Sequence, residues 1–507
     1  MERRRTATIA GLAAQVHGAV VIGPGEAEIT GITYDSRAVK PGDLFAALRG
    51  ADLDGHDFLA EAEARGAAAL LVESPAESRS AQIVVGNSRA ALASVSAAFF
   101  GQPSREIGVI GVTGTDGKTT TSFLIDHLLR SAGMTTGLIG TVAVRIGDSE
   151  DLHATRQTTP ESNDMQRYLR AMVEAGAEWA TVEATSHGLA MHRLDHIQFQ
   201  VGAVTNITHE HLDFHGTIDN YRRAKAMLLE RVATATGRVV LNLDDAGARA
   251  VAPYARGAEV TWYSGTGLPE ADIQTHDVTT GAMGSTFELQ LRDSERARVE
   301  LPLIGDFNIA NAVCAAGVAL AAGLSLDAIA RGLATAPAVP GRMALVNQGQ
   351  PFSVVVDYAH TPESLGKVLR LLRGLHPDGR LIVVFGSAGE RDVAKRPVQG
   401  RIAAELADVA VVTSEDPRGE DADAIIEQIA AGAVAAGSIR DESLFQRTDR
   451  RDAIALAIEI ARPGDCVLLA GKGHEGSIIW GREKLPWNEA EIARELLAAA
   501  GFGATVG

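Results

Sequence analysis

Residues 107–121 read IGVIGVTGTDGKTTT, an apolar run that stops in glycines and a lysine followed by hydroxyl residues. Ile107, Val109, Ile110 and Val112 form a β-type run suited to a buried strand. Gly114, Thr115, Asp116 and Gly117 then lead into Lys118, which is followed at once by Thr119 and Thr120. Glycines let consecutive backbone N–H groups turn toward a polyphosphate, Lys118 can bind the outer phosphates, and the Thr119 hydroxyl can hold Mg²⁺. From Thr119 to Ser131, Phe123, Leu124, Leu128 and Leu129 lie on one helical stripe, predicting a helix whose N-terminus favours an anion. The usual G-x-x-x-x-G-K spacing wants glycine where Val112 stands, and Gly111 is one place early. The stretch therefore reads as a variant phosphate-binding loop between a strand and a helix.

A chain of 507 residues is expected to divide into about three domains, each with its own core. With 46% hydrophobic and 22% charged residues, the composition is that of soluble globular proteins and argues against disorder. A formal charge of −17 argues against a nucleic-acid surface, while leaving room for local basic pockets that take phosphates. Cys314 and Cys466 both stand in apolar stretches, which predicts a reducing compartment without a disulfide framework or a zinc-type Cys cluster. MERRR is followed by no apolar region of signal-peptide type, and no apolar run approaches the roughly 20 residues that span a bilayer. A cytoplasmic protein without membrane insertion is expected.

In chain order, residues 1–103 read as a small α/β domain, with Asp35-Ser36-Arg37 after a strand, a helix over 58–65 and a strand over 68–72. Gly101-Gln102-Pro103 is the linker into the loop strand. Residues 104–340 form the central unit, whose polar chemistry gathers in three places. Gln157-Thr158-Thr159-Pro160-Glu161 precedes a helix and could bind phosphate or simply cap it. Glu183, followed by Ala184-Thr185-Ser186-His187, ends the strand-like 179–182, where a second Mg²⁺ ligand belongs. The third place, Thr205 to His215, holds three histidines and two acids within seven residues; zinc is one reading, but a phosphate loop nearby calls for a hard, oxygen-binding cation. Residues 341–507 alternate short β-type runs at 353–356, 381–385, 409–412 and 466–469 with helical patterns, the mark of an open parallel sheet. Each run ends in polar residues that should crowd one carboxyl edge, where such sheets bind ligands.

GVTGTDGKTTT, TTPES, EATSHGLAMHR, TNITHEHLDFHGT, YRRAKAMLLE, GDFNIANA, VPGRM, DYAHTPESL, FGSAGERDVAKRP, EDPRGED and AGKGHE follow one another across essentially the whole chain. In order and spacing this series resembles the Mur ligases, and within them the branch that adds the third residue of the peptidoglycan stem peptide. The resemblance implies three α/β domains: 1–103 binding UDP, 104–340 with a P-loop ATPase-like parallel sheet, and 341–507 Rossmann-like and binding the incoming amino acid. It implies an ATP- and Mg²⁺-dependent ligase that joins a diamino acid to UDP-N-acetylmuramoyl-L-alanyl-D-glutamate through an acyl phosphate, working as a monomer. Folylpolyglutamate synthetase, a relative with the same ATP chemistry, would not carry DSR, TTPES and AGKGHE together. A catalytically idle nucleotide-binding scaffold would not need Lys118, Glu183, His211 and Lys225 intact.

By the same resemblance, Gly114 to Thr120, Asn308, Arg342 and Asp357 contact ATP. Thr119, Glu183, His211 and Lys225 serve Mg²⁺, with Lys225 carbamylated by CO₂. Tyr34 and Ser36 match the uridine site, and Gln157, Thr158, Thr159, Thr185, Ser186 and Arg193 hold the muramoyl peptide, although Gln157 stands where asparagine is frequent and Met191 where glutamine can occur. Arg391, Glu415, Asp416, Pro417, Arg418, Gly471 and Glu475 match the amino-acid site. Members that add meso-diaminopimelate commonly carry Asp-Asn-Pro-Arg where this chain has Glu415-Asp416-Pro417-Arg418. Arg418 favours the distal carboxylate of diaminopimelate, whereas Asp416 adds a negative charge and favours the ammonium of L-lysine or L-ornithine. The C-terminal unit is expected to move as a rigid body about Val339-Pro340-Gly341.

Overall fold

The computed structural model describes residues 5–50, 53–152, 157–292 and 295–503. They form two compact units, one of residues up to His276 with Leu289–Ala297 and Ala310–Gly332, the other of Asp277–Glu288, Arg298–Ile309 and the chain from Leu333 onward. The architecture is α/β, as expected from the alternation of apolar runs and helical stripes.

The first unit begins with a five-stranded sheet ordered Val20–Ile22, Ala81–Val84, Ala69–Val72, Asp43–Ala46, Gly31–Thr33. The last four are parallel and the first is antiparallel. The helix expected over 58–65 is a 3₁₀ turn at Gly55–Phe58 running into an α-helix at Leu59–Ala64.

The larger sheet of this unit carries, side by side and all parallel, Thr136–Ile139, Trp179–Glu183, Gly108–Thr113, Val201–Val204, Arg238–Asn242 and Glu259–Ser264. The chain leaves Gly108–Thr113 toward one side and later returns to its other side, so the order reverses at that strand. Open parallel sheets bind ligands at such a reversal, beyond the strands' carboxyl ends. Register makes the ends coincide: Glu183 pairs with Val112, and Val204 with Thr113. Gly111 lies within the strand, where a Cβ would press on Leu228 and Phe199, so it belongs to sheet packing and not to the loop.

The second unit contains a sheet ordered Ala344–Leu345, Ser353–Asp357, Cys466–Ala470, Leu381–Phe385, Val409–Thr413, Leu444–Arg447, parallel except for the first strand. The four expected strands are present; Leu444–Arg447 is an additional edge strand. Helices Pro362–Leu375, Lys395–Leu406, Ala422–Ala435 and Arg450–Ile460 connect the parallel strands. Apolar residues on both faces, such as Val383 and Leu468 on one and Val384 and Leu469 on the other, are fully buried, as a parallel sheet covered by helices requires. No helix among the described residues is long and apolar enough to cross a membrane.

Candidate active site

The loop after Gly108–Thr113 turns on two glycines. Gly114 has φ 154° and its missing Cβ leaves room for the Thr205 hydroxyl; Gly117 has φ 84° and abuts the Asn311 carboxamide. A side chain at either position would collide with these groups. Helix Lys118–Ser131 starts directly after Gly117 with no side-chain cap, so its first N–H groups and dipole face the loop. Asn206, beyond the neighbouring strand, accepts from Thr115 N (2.8 Å) through its carbonyl and from Asp116 N (2.9 Å) through Oδ1. The loop is thereby shaped by backbone bonds before any ligand arrives.

Glu183 sits at 0% exposure where its strand ends. Its Oε2 accepts from the hydroxyls of Thr119 and Thr141, each at 3.0 Å, and its Oε1 accepts from Thr141 N at 2.9 Å. Three oxygen groups thus converge at the start of the loop helix. One carboxylate with hydroxyls suits Mg²⁺, which takes few protein ligands and completes its shell with phosphate and water. Among the described residues no group of three or more His, Cys, Asp or Glu side chains could hold a metal ion.

Lys118 Nζ donates to the carbonyls of Gly114 (2.9 Å) and Thr115 (2.8 Å), and Lys225 Nζ donates to the same Gly114 carbonyl at 2.6 Å. Lys225 is 2% exposed and stands 4.6 Å from the centre of the Tyr221 ring. Burial, and then the charge of Lys118, push its amine well below the ordinary lysine range. Its position follows from the helix Ile218–Thr234, which buries Tyr221, Ala224, Lys225, Leu228 and Leu229 along one face.

His211 has φ 53°, a left-handed conformation that costs free energy for a non-glycine residue and is concentrated at functional sites. Its ring packs edge-on against His187 (4.8 Å between centres), near Tyr221, and its Nε2 lies 3.7 Å from Glu210. Among the described residues no hydrogen bond or ion pair joins it to Glu183. Burial lowers the pKa of both His187 and His215.

Thr159 Oγ1 donates to the carbonyl of Glu183 at 2.7 Å and lies 2.9 Å from Thr185 Oγ1, which accepts from Gly188 N. Thr158 Oγ1 lies 3.0 Å from Thr141 Oγ1. Arg193 donates to Thr159 O at 3.1 Å and pairs with Glu161, which also receives Arg89. The hydroxyls of Thr158, Thr159 and Thr185 therefore share one bonded cluster with Glu183. Ser186 is buried without a partner for its hydroxyl, and Gln157 is exposed. In the N-terminal sheet Ser36 Oγ donates to Glu61 at 2.8 Å, while Tyr34 is 40% exposed.

In the second unit, Asp357 accepts from Met343 N and Ala359 N; burial raises its carboxyl pKa, opposed by those N–H groups and by Arg342. The Arg342 guanidinium lies 5.3 Å from the centre of the Tyr358 ring. Asn308 donates to Ile304 O. Across the carboxyl edge of the sheet, Arg450 and Glu489 form a fully buried pair, and Arg450 also binds the carbonyls of Ser414 and Ala470, tying two strand ends together. Beside them Lys472, at 0% exposure, donates to Asp416 Oδ1 (2.8 Å) and Glu475 Oε2 (2.6 Å). Glu415 is buried with Oε2 unpartnered against Gly471, and burial raises its pKa. Arg418 has φ 53°, its Nε is buried without a partner, and Pro417 is buried beside it; Arg391 is exposed. Thr141, Asn206, Tyr221 and Lys472 were not among the site residues expected from sequence.

Residues 28–100, 112–319 and 341–473 match, in turn, the Mur ligase family catalytic domain, the Mur ligase middle domain and the Mur ligase glutamate ligase domain. A UDP-N-acetylmuramyl-tripeptide synthetase from Roseiflexus sp. is 46% identical over 497 residues, covering 95% of this chain and 96% of the relative. The chain belongs to the Mur ligase family. A UDP-N-acetylmuramoyl-L-alanyl-D-glutamate–2,6-diaminopimelate ligase from Solibacter usitatus is 42% identical to this Mur ligase, covering 95% of this chain and 96% of the relative. A solved structure of a ligase of that same description aligns with a TM-score of 0.70 at 30% identity, covering 98% of this chain and 99% of that one. As a member of this family the chain is an ATP-dependent ligase.

Proposed function

We propose that this Mur ligase joins a diamino acid to UDP-N-acetylmuramoyl-L-alanyl-D-glutamate in the cytoplasm, one step of peptidoglycan synthesis, and that residues 1–103, 104–340 and 341–507 serve the uridine nucleotide, ATP and the amino acid respectively. The observation that carries the reading is the convergence of Glu183, Thr119 and Thr141 beside a loop that already gathers Lys118 and Lys225 on one carbonyl. Relatives named for this reaction along nearly their whole length support it.

A carboxylate is a poor acyl donor, so ATP first phosphorylates the D-glutamyl side chain; the amine then displaces phosphate. The protein's task is to position the reactants and balance charge. Glu183, Thr119, His211 and carbamylated Lys225 would hold Mg²⁺, which supplies charge neutralisation at the γ-phosphate. Lys118 binds the outer phosphates, exchanging its loop carbonyls for phosphate oxygens, with Arg342, Asn308 and Asp357 completing the ATP contacts. Thr158, Thr159, Thr185, Ser186 and Arg193 orient the muramoyl peptide. Arg418, Glu415 and Glu475 receive the diamino acid.

The test is phosphate release with ATP, Mg²⁺ and the muramoyl dipeptide, offering meso-diaminopimelate, L-lysine and L-ornithine separately. Turnover that needs both the muramoyl dipeptide and one of the three is expected. No turnover with any of them removes the reading.

A further inference from the structure

Lys472 is a fully buried charged group at the carboxyl edge of the C-terminal sheet, and it sits between two carboxylates. Its ammonium donates to Asp416 and Glu475, on two different loops, while Asp416 Oδ1 also accepts from Ile479 N at 3.0 Å. Asp416 is 7% exposed; Glu475 keeps about a third of its side chain in solvent. The Asp416 charge is therefore answered inside the protein by an ammonium and a backbone N–H, and Glu475 is turned toward the same ammonium. Gly389 N donates to the Asp416 carbonyl at 2.8 Å, and Arg418 exchanges backbone bonds with Ile479 and Gly481, so the loop cannot simply swing Asp416 away.

We infer that Lys472 is a positioning residue that sets the charge of the amino-acid cleft, neutralising Asp416 so that a diamino acid carrying a second carboxylate can dock beside Arg418. The inference rests on the ligase reading above. Without Lys472, no ammonium would answer the charges of Asp416 and Glu475. A side-chain ammonium would still be welcome, but a distal carboxylate would be repelled. One unit charge at several ångströms, in surroundings of effective dielectric near 20, corresponds to roughly 10- to 100-fold in binding.

The experiment compares kcat/KM for meso-diaminopimelate with kcat/KM for L-lysine in the wild type, Lys472→Met, Lys472→Arg and the double variant Lys472→Met/Asp416→Asn. Lys472→Met is expected to lower the diaminopimelate-to-lysine ratio by about 10- to 100-fold, through KM for the amino acid, with KM for ATP unchanged. Lys472→Arg should keep most of the ratio, and removing the Asp416 charge in the double variant should restore it. A purely structural role would lower both rates together and leave the ratio unmoved, which overturns the inference. If Lys472→Met does not fold, Asp416→Asn alone decides: with one carboxylate fewer beside the ammonium the ratio should rise, and an unchanged or lowered ratio overturns the inference. A wild type that uses L-lysine or L-ornithine but not meso-diaminopimelate overturns the inference and leaves the ligase reading intact. A wild type that uses none of the three removes that reading.

Discussion

Replacing Lys225 by alanine tests the most loaded position of the central site. Lys118 and Lys225 place their nitrogens 2.9 and 2.6 Å from one oxygen, the Gly114 carbonyl, so the two lie at most about 5.5 Å apart. Two ammonium ions at about 5 Å repel by roughly 3 kcal/mol at an effective dielectric near 20, in addition to the cost of burying the second. Both effects favour a neutral Lys225 amine, and the neutral amine is the form that adds CO₂: the new N–C bond makes a carbamate and releases one proton. With Mg²⁺ about 4 Å away, an ammonium would be repelled by roughly 8 kcal/mol, and a carbamate of opposite charge attracted by as much.

The expected result in the phosphate-release assay is a loss on the order of 100-fold or more for Lys225→Ala, typical of removing a preorganised electrostatic group. Formate or acetate in excess should recover part of it by filling the space with a carboxylate. Carbon-13 bicarbonate should give a carbamate resonance in the wild type that Lys225→Ala lacks. Full activity in the alanine variant, or a wild type without that resonance, would refute the reasoning. The sign of the pH dependence follows from the lowered pKa. Without CO₂, the unfolded chain binds a proton at Lys225 that the folded chain does not, so this residue makes stability rise with pH toward the ordinary lysine value of 10.5. Lys225→Met should flatten that slope in thermal unfolding.

Three further substitutions probe the surrounding cluster. Glu183→Gln keeps the shape but removes the charge, and should cut kcat by on the order of 100-fold while raising the Mg²⁺ needed for half-maximal rate; an unmoved Mg²⁺ titration counts against the assignment. Thr141→Val deletes one hydrogen bond to a charged group, worth about 1.5–3 kcal/mol, and should move the same titration roughly tenfold or more, whereas unchanged Mg²⁺ dependence would show that Glu183 needs no such support. Gly117→Ala forces a side chain at φ 84° against Asn311; thermal unfolding should show a loss of about 1–3 kcal/mol and calorimetry a weaker ATP affinity, and wild-type behaviour in both would contradict the loop geometry.

Much of this architecture is legible in the sequence because parallel strands buried on both faces are continuous apolar runs. The stretches 107–112, 179–182 and 381–385 stand out for that reason, and each ends where its polar residues begin. Leu444–Arg447 escaped because it is an edge strand, paired on one side and only partly buried, so LFQR carries too little apolar signal. The misfit of Gly111 with the usual loop spacing has its cause in packing: it makes room for Leu228 and Phe199 under the sheet, which no local pattern announces.

The site residues that sequence reading missed share a physical cause. Thr141 stands in GTVAV, with neither glycine–lysine pattern nor neighbouring charge to mark it. It reaches Glu183 because Thr136–Ile139 pairs with Trp179–Val182 in parallel register, so the chain leaving Ile139 arrives beside the end of the strand that carries the carboxylate. Lys472 lies inside a conspicuous motif, AGKGHE, yet a lysine there reads equally well as a solvent-facing charge. Only the pairing of Cys466–Ala470 with Ser353–Asp357 and Leu381–Phe385 places the following turn at the mouth of the sheet interior, where a buried ammonium needs carboxylates beside it. The residues proposed to touch ligand stand at strand ends and can be named from one dimension. Residues that act on those ligands' partners depend on register between strands distant in sequence, and a substitution at Thr141 or Lys472 therefore tests the fold's pairing and the site's chemistry in one measurement.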